Sequence, residues 1–173
     1  MDIISHAMIG RIIAVREEKK KDIYLIPFFA ALPDLFQIPL YLFLGYVNKR
    51  PFYFPLNSDW IGVRELYPRW VLFWEIPHSL FFLALVITPL VLLLKLNKLS
   101  IAAYFSHIFI DAFTHTGEWS LKPFFPVEYE IEGLTDAWIW KPAFFALSWL
   151  VLGLITFVLR YFIKKNKPAD DKV

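Results

Sequence analysis

The sequence predicts an all-α, polytopic bundle of transmembrane helices, with about four spans and a short N-terminal membrane-inserted helix. Of its 173 residues, 58% are hydrophobic, more than the roughly half expected of a soluble domain. Apolar segments near the ~20 residues of a spanning helix recur along the chain. Lysines gather in the turns between these segments, as they do in membrane proteins.

The predicted elements follow the apolar segments in order. Residues 3–15 form a helix that is too short to span with ease, and it leads into a charged turn rather than a signal-peptide cleavage site. The third of the longer segments carries the most polar groups and is expected inside the bundle; the fourth, without His, Asp or Glu, is expected to face lipid. Residues 1–163 are predicted to form one membrane-embedded domain, followed by a charged, disordered tail at 164–173. The four spans are predicted at residues 23–47, 70–94, 99–116 and 138–163.

Basic residues give the predicted spans an orientation. The lysines at 19–21, Lys95 and Lys98, and those near the C-terminus fall on one side, which the positive-inside rule makes cytoplasmic in a multi-pass protein of the cell membrane. The loops at 48–69 and 117–137 would then lie outside and cover the site. A net charge of only +2 argues against nucleic acid as a partner. The aromatic residues are expected to form an interfacial belt that includes Trp60, Trp70, Trp74, Trp119, Trp138 and Trp140.

Polar side chains with metal-binding chemistry lie within these apolar segments. Three of them are spaced four residues apart in the third span and therefore line one helix face. The others reach the same layer when depth is taken as ~1.5 Å per residue along each span. Imidazoles and carboxylates are costly in hydrocarbon unless they pair or bind something, so a divalent metal site is predicted. The candidate ligands are His6, Asp34, His78, His107, Asp111 and His115.

The donor set predicts the kind of metal. Nitrogen and oxygen donors without cysteine fit zinc, with manganese or iron as alternatives. Six residues exceed one tetrahedral zinc site, so one or two ions are predicted, with Asp34 or Asp111 bridging a pair. His115, at a helix end, is either a ligand or a partner of one. Asp34 follows Pro33 and is also a candidate helix N-cap, a role compatible with metal ligation.

Four short motifs follow one another from residue 5 to about residue 126. They are Ser5-His6-Ala7-Met8-Ile9-Gly10, Ala31-Leu32-Pro33-Asp34, Pro77-His78-Ser79, and His107-x-x-x-Asp111-x-x-Thr114-His115-x-Gly117 followed by Pro123-Phe124. In this order they resemble the membrane-bound metal-dependent hydrolase family, some members of which are described as LexA-binding, inner-membrane-associated hydrolases. The last motif is also similar to the HxxxD helices of zinc-dependent phospholipase C. The chain departs from the family where Phe73 and Trp74 replace a His-Arg pair and Pro77 replaces Thr. The resemblance implies metal ligation at His6, Asp34, His78, His107 and Asp111.

These residues lead to the hypothesis of a membrane-embedded hydrolase that cleaves an ester or phosphoester of a lipid-like substrate with metal-activated water. Asp34 and Glu75 are the candidate catalytic residues. Glu75, three residues before His78, is a candidate general base, a partner of a ligand or an extra ligand, and otherwise pairs with Arg69. Two alternatives stay open: a transporter or channel for divalent cations or protons, since intramembrane His and Asp also form relays, and a non-enzymatic scaffold stabilised by metal.

Overall fold

The computed structural model describes residues 1–166, and within that range the predicted all-α class is confirmed, with 70% helix. One isolated bridge joins Leu121 to Ile131. A π-helical segment, Leu83–Ile87, connects α6 to α7. The α-helices of the described range are α1 (Ile3–Ile13), α2 (Lys20–Leu35), α3 (Ile38–Val47), α4 (Val63–Leu66), α5 (Pro68–Glu75), α6 (Leu80–Phe82), α7 (Thr88–Leu93), α8 (Leu99–Thr114) and α9 (Pro142–Lys165).

Two helical stretches of the described chain are long and apolar enough to cross a membrane: Lys20–Val47, which combines α2 with α3, and α9. A third exists if α5 and Leu80–Leu93, bent by 55° relative to each other, form one span. The predicted count of four spans is not confirmed. With 16 residues, α8 is about 24 Å long at 1.5 Å per residue, short of a hydrocarbon core of about 30 Å.

Proline explains why the second predicted span is broken. Pro77 lies between α5 and α6, where its ring clashes with the preceding turn and its missing N–H cannot continue the helix. The chain resumes as a helix after Ser79, whose Oγ accepts a hydrogen bond from Phe82 N at 3.2 Å. The carbonyl of Pro77 accepts a hydrogen bond from Tyr104 Oη at 2.6 Å, which ties the break to α8.

Close helix packing surrounds α1, which contacts α2, α8 and α9. A Cβ atom on Gly10 would lie 2.6 Å from Pro27 Cα and 2.7 Å from Ala30 Cβ, so only glycine lets α1 and α2 approach this closely. One face of α8 is buried, as predicted for the third segment, while Phe105 and Phe109 on its other face are exposed. No residue of α9 is buried, which fits a lipid-facing helix.

The C-terminal end of α9 differs from the prediction. The helix continues through Lys165, two residues into the segment predicted as a disordered tail. Asn166 follows the helix, and residues 167–173 of that segment lie outside the described residues. Helix therefore continues past the apolar stretch into its first lysines, where the positive side chains interact favourably with the carbonyl end of the helix dipole.

The two long loops fold over one end of the bundle. Glu118 joins them by accepting hydrogen bonds from Gly62 N at 2.9 Å and Arg64 N at 3.2 Å. The predicted interfacial belt is wrong for three tryptophans, which are buried because the loops enclose them. Among Trp60, Trp74, Trp119 and Trp138, the ring centroids of neighbouring side chains lie 5.2–6.1 Å apart. The buried members are Trp60, Trp74 and Trp119, and the half-buried Trp138 packs against Trp60 and Trp119.

Candidate metal centre

Four of the predicted ligands converge on one point from three parts of the chain. Asp34 comes from the last turn of α2, His78 from the break between α5 and α6, and His107 with Asp111 from α8. One ligand atom of each residue lies within 4.8 Å of every other, and the group could hold a metal ion. His78, His107 and Asp111 are at most 1% exposed, whereas the Asp34 side chain is 16% exposed. We call these four residues the metal group.

Local structure explains how the two carboxylates are presented. His107 and Asp111 are one helical turn apart on α8, which brings His107 Nε2 within 3.1 Å of Asp111 Oδ2. Asp34 lies inside α2, so it is not the N-cap that Pro33 suggested. Its Oδ1 instead accepts a hydrogen bond from Gln37 Nε2 at 3.0 Å, which holds the carboxylate in orientation.

Backbone carbonyls determine which nitrogen of each histidine carries the proton. His78 Nδ1 lies 2.7 Å from the Trp74 carbonyl oxygen, and His107 Nδ1 lies 2.7 Å from that of Ala30. Because a carbonyl only accepts, each Nδ1 is assigned as the donor. A neutral ring then has its lone pair on Nε2, and the two Nε2 atoms face each other at 3.0 Å. Both histidines are therefore oriented as ligands are in metal sites.

The distances within the metal group fit a bound cation. His107 Nε2 is 3.6 Å from Asp34 Oδ1, and His78 Nε2 is 3.8 Å from the same oxygen and 3.6 Å from Asp111 Oδ2. Donors about 2.0–2.1 Å from a tetrahedral ion are roughly 3.3 Å apart, close to the separations in the group. Facing lone pairs and carboxylates repel unless a proton or a metal ion lies among them.

Asp111 provides a second sign of metal binding. Its Oδ2 is fully buried and makes no hydrogen bond within residues 1–166, although imidazole nitrogens surround it. A buried acceptor without a partner is energetically costly. This oxygen is therefore expected to bind a group other than the hydrogen-bond donors of the protein, such as a metal ion. Oxygen and imidazole donors suit zinc, manganese and iron alike.

His6 and His115, the remaining predicted ligands, both contact Asp111. His6 Nε2 lies 3.0 Å from Asp111 Oδ1, and its ring stacks on His107 with centroids 3.7 Å apart. His115 Nδ1 accepts a hydrogen bond from Trp138 Nε1 at 3.1 Å, since an indole N–H can only donate. His115 Nε2 lies 3.3 Å from Asp111 Oδ2 and 3.3 Å from the amino group of Met1, which itself contacts Asp111 Oδ1 at 2.6 Å. In this arrangement the two histidines hold the Asp111 carboxylate in place.

Glu75 belongs to a different charged group. Its Oε1 lies 3.4 Å from Lys122 Nζ and 3.7 Å from Arg64 Nη2, so its partner among the arginines is Arg64 rather than Arg69. Arg64 Cζ lies 5.4 Å from the centre of the Trp74 ring, and that ring in turn stacks on His78. Glu75 thus connects the loops to α5, and its contacts among residues 1–166 lead to the metal group through Arg64 and Trp74.

Lys122 is held as a cation beside Glu75. Burial lowers the pKa of its ammonium group, but a hydrogen bond to Glu128 and the charge of Glu75 raise this pKa by more than burial lowers it, so the net shift is upward. The side chain is 12% exposed and stays charged through the neutral range. The negative charge of Glu75 is therefore balanced by the positive charges of Lys122 and Arg64.

Sequence reasoning missed Gln37 and Trp138. Gln37 follows Asp34 by three residues, so helical spacing could have identified it as a neighbour. Trp138 is 23 residues from His115 and reaches it only because the loop after α8 folds back, which no local pattern reveals. Comparisons with protein-family models, curated proteins and solved structures produced no match to this chain, and they identify no family for it.

Proposed function

We propose that this protein is a membrane-embedded, metal-dependent hydrolase that cleaves an ester or phosphoester in a lipid-like substrate. The observation that carries the proposal is the pair of histidines, His78 and His107, whose Nδ1 atoms donate to carbonyls while their Nε2 atoms point at each other between two carboxylates. Hydrolysis would consume one water and release an acid and an alcohol.

The residues of the metal group have separate tasks in this proposal. His78, His107 and Asp111 would hold a divalent ion, zinc or alternatively manganese or iron, with Asp34 next to the ligand position that a catalytic ion leaves open to water. When bound, the ion would supply Lewis acidity and lower the pKa of a water molecule in the site. His6 and His115 would keep Asp111 in the orientation that ligation requires.

Asp34 is the best-placed candidate to take a proton from the attacking water. It is the most exposed of the four residues, and Gln37 fixes its orientation. A general base must lie within hydrogen-bond reach of the proton that it removes, which favours a residue of the metal group itself. We therefore assign Glu75, which pairs with Arg64 and Lys122, a positioning role in the loops and not proton transfer.

A transport role is less well supported because apolar residues close one side of the metal group. A relay needs polar groups that continue towards both faces of the membrane. Ile26 and Ala30 precede Asp34 on α2, Ala103 precedes His107 on α8, and Ala14 follows α1; all four are 0% exposed and pack together. They lie on the side of the group that leads to the lysine-rich ends of α2 and α8.

Metal analysis tests the first part of the proposal. The protein is purified in detergent without added metal, beside a His107→Ala/Asp111→Ala double variant and a Phe109→Ala control on the exposed face of α8. We expect one or two equivalents of a transition metal in the wild type and the control, and a loss of that metal in the double variant. Equal metal content in all three proteins, or none in any, would refute the site.

Activity measurements test the second part. The metal-loaded protein is screened against carboxylic-ester and phosphoester lipids, with release of acid as the readout. Cleavage should stop on chelation and return when the metal is restored. If a protein with full metal content cleaves none of these lipids, the hydrolase proposal fails, and a metal-stabilised scaffold explains the group instead.

A further inference from the structure

A cavity of about 500 Å³ opens beside the metal group. This volume is typical of small-molecule sites, which range over about 300–1,000 Å³. Its walls are mainly hydrocarbon: Ile38 and Leu42 from α3, Phe145 from α9, and Phe54 and Trp138 from the loops. Water molecules find few hydrogen-bond partners in such a cavity, whereas binding of an apolar ligand there would be favourable.

One end of the cavity is polar and coincides with the proposed site. Asp34 and His115 both line it, and so does Gln37. Gln37 is 3% exposed, and while its Nε2 donates to Asp34, its Oε1 makes no hydrogen bond within the described range. A buried amide oxygen of this kind needs a donor to satisfy it. The cavity therefore suits a ligand with an apolar body and a polar end.

The position of the walls indicates where such a ligand comes from. Leu42 and Ile38 are each 49% exposed and belong to Lys20–Val47, and Phe145 belongs to α9, so the opening lies between the two helices best able to cross a membrane. The surfaces of spanning helices are solvated by lipid chains. An acyl chain is therefore the molecule that meets this opening.

We propose that the cavity binds one acyl chain of a membrane lipid, which enters sideways between α3 and α9 and places its polar linkage beside Asp34 and Gln37. The role of this lipid as the substrate rests on the proposed function, but its binding does not. Leu42 and Phe145 would contact the chain, and Gln37 Oε1 would accept a hydrogen bond from a hydroxyl or ammonium group of the lipid.

Photolabelling of the full-length protein tests the proposal. The probes are a fatty acid and a phosphatidylethanolamine, whose headgroup can donate a hydrogen bond. Both carry the same diazirine in the acyl chain, and each is used at low mole fraction in detergent. We expect saturable labelling of residues 38–54 and 138–145, which excess unlabelled probe displaces. Labelling by the phosphatidylethanolamine, with or without labelling by the fatty acid, supports a membrane lipid as the ligand. Labelling by the fatty acid alone would overturn that assignment.

Two variants separate the cavity from the outer lipid surface. Leu42→Trp places an indole across the cavity and should reduce labelling at least tenfold, whereas Leu150→Trp on the exposed face of α9 should leave it unchanged. Metal content and elution volume verify that Leu42→Trp is folded. Labelling that is non-saturable and spread evenly along α9 in the wild type would overturn the proposal whether or not Leu42→Trp folds.

The two proposals can fail separately. Saturable labelling without any ester cleavage would support the acyl-chain cavity and count against the hydrolase. Lipid cleavage that Leu42→Trp leaves at the wild-type rate, in a folded and metal-loaded protein, would support the hydrolase and refute the cavity as its substrate site.

Discussion

Removal of the metal should destabilise the wild-type protein but not a His107→Ala variant. Without an ion, the wild type keeps two Nε2 lone pairs 3.0 Å apart and two carboxylates beside them, in a region where His107 and Asp111 are 0% exposed. A ligand that binds only the folded state stabilises it by about 2.7 kcal/mol at a free concentration of 100 times its Kd. For a chain of this length, that corresponds to a shift in Tm of about 5–10 °C.

Thermal scans with and without chelator measure this shift in detergent. Four samples are needed: the wild type and His107→Ala, each with metal and with chelator. The variant also loses the hydrogen bond to Ala30 and leaves a cavity, but both costs are present in its two samples and cancel in the comparison. The reasoning is refuted if chelation shifts the two proteins equally, or if it shifts neither.

Four further substitutions test individual contacts. Trp138→Phe removes the donor to His115 Nδ1 and frees that ring to change tautomer, so the metal Kd, measured by titration calorimetry, should rise about 10-fold. Asp34→Asn should lower lipid hydrolysis by at least ~10²-fold, whereas Glu75→Gln should lower it far less, because only Asp34 belongs to the metal group. Gly10→Val should lower the free energy of unfolding by about 1–3 kcal/mol, because the new side chain would overlap Pro27 and push α1 from α2.

For each of these predictions, one outcome would contradict the reasoning. An unchanged metal affinity in Trp138→Phe would show that His115 does not depend on the indole. Glu75→Gln with the same loss as Asp34→Asn would return the proton-transfer role to Glu75. A Gly10→Val protein as stable as the wild type, judged beside Gly153→Ala, where a new Cβ would make only ordinary contact with Met8, would mean that α1 can move away from α2 at no cost.

The sequence predicted much of the metal group because helical spacing is a local property. His107 and Asp111 had to share a face of α8, and an apolar setting made their pairing with other polar residues necessary. The histidines could not be sorted into ligands and supporting residues in the same way. That distinction depends on which ring nitrogens are already engaged, and Nδ1 of His115 accepts from Trp138, whose approach depends on the folding of a loop.

The surroundings of Glu75 and of the tryptophans also depend on contacts that the local sequence does not predict. The spacing of Glu75 and His78 suggests a shared face, but Pro77 breaks the helix between α5 and α6 and separates their environments. Trp60 and Trp119 have the composition of a membrane boundary, yet the loops bury them over the metal group. In both cases contacts between distant segments override the local pattern.

The break at Pro77 also shows why a regular helix over residues 70–94 and the site could not both form. A regular span over residues 70–94 would keep each backbone carbonyl in the helix ladder and each side chain at helical spacing. At the break, the Trp74 carbonyl accepts both His78 N at 3.3 Å and His78 Nδ1 at 2.7 Å, and the same ring directs Nε2 at His107 across the bundle. The interruption lets one residue bond twice to the preceding turn and face α8 at once. Local rules are broken most often where a site is built, and here the residue at the irregularity is a member of the metal group.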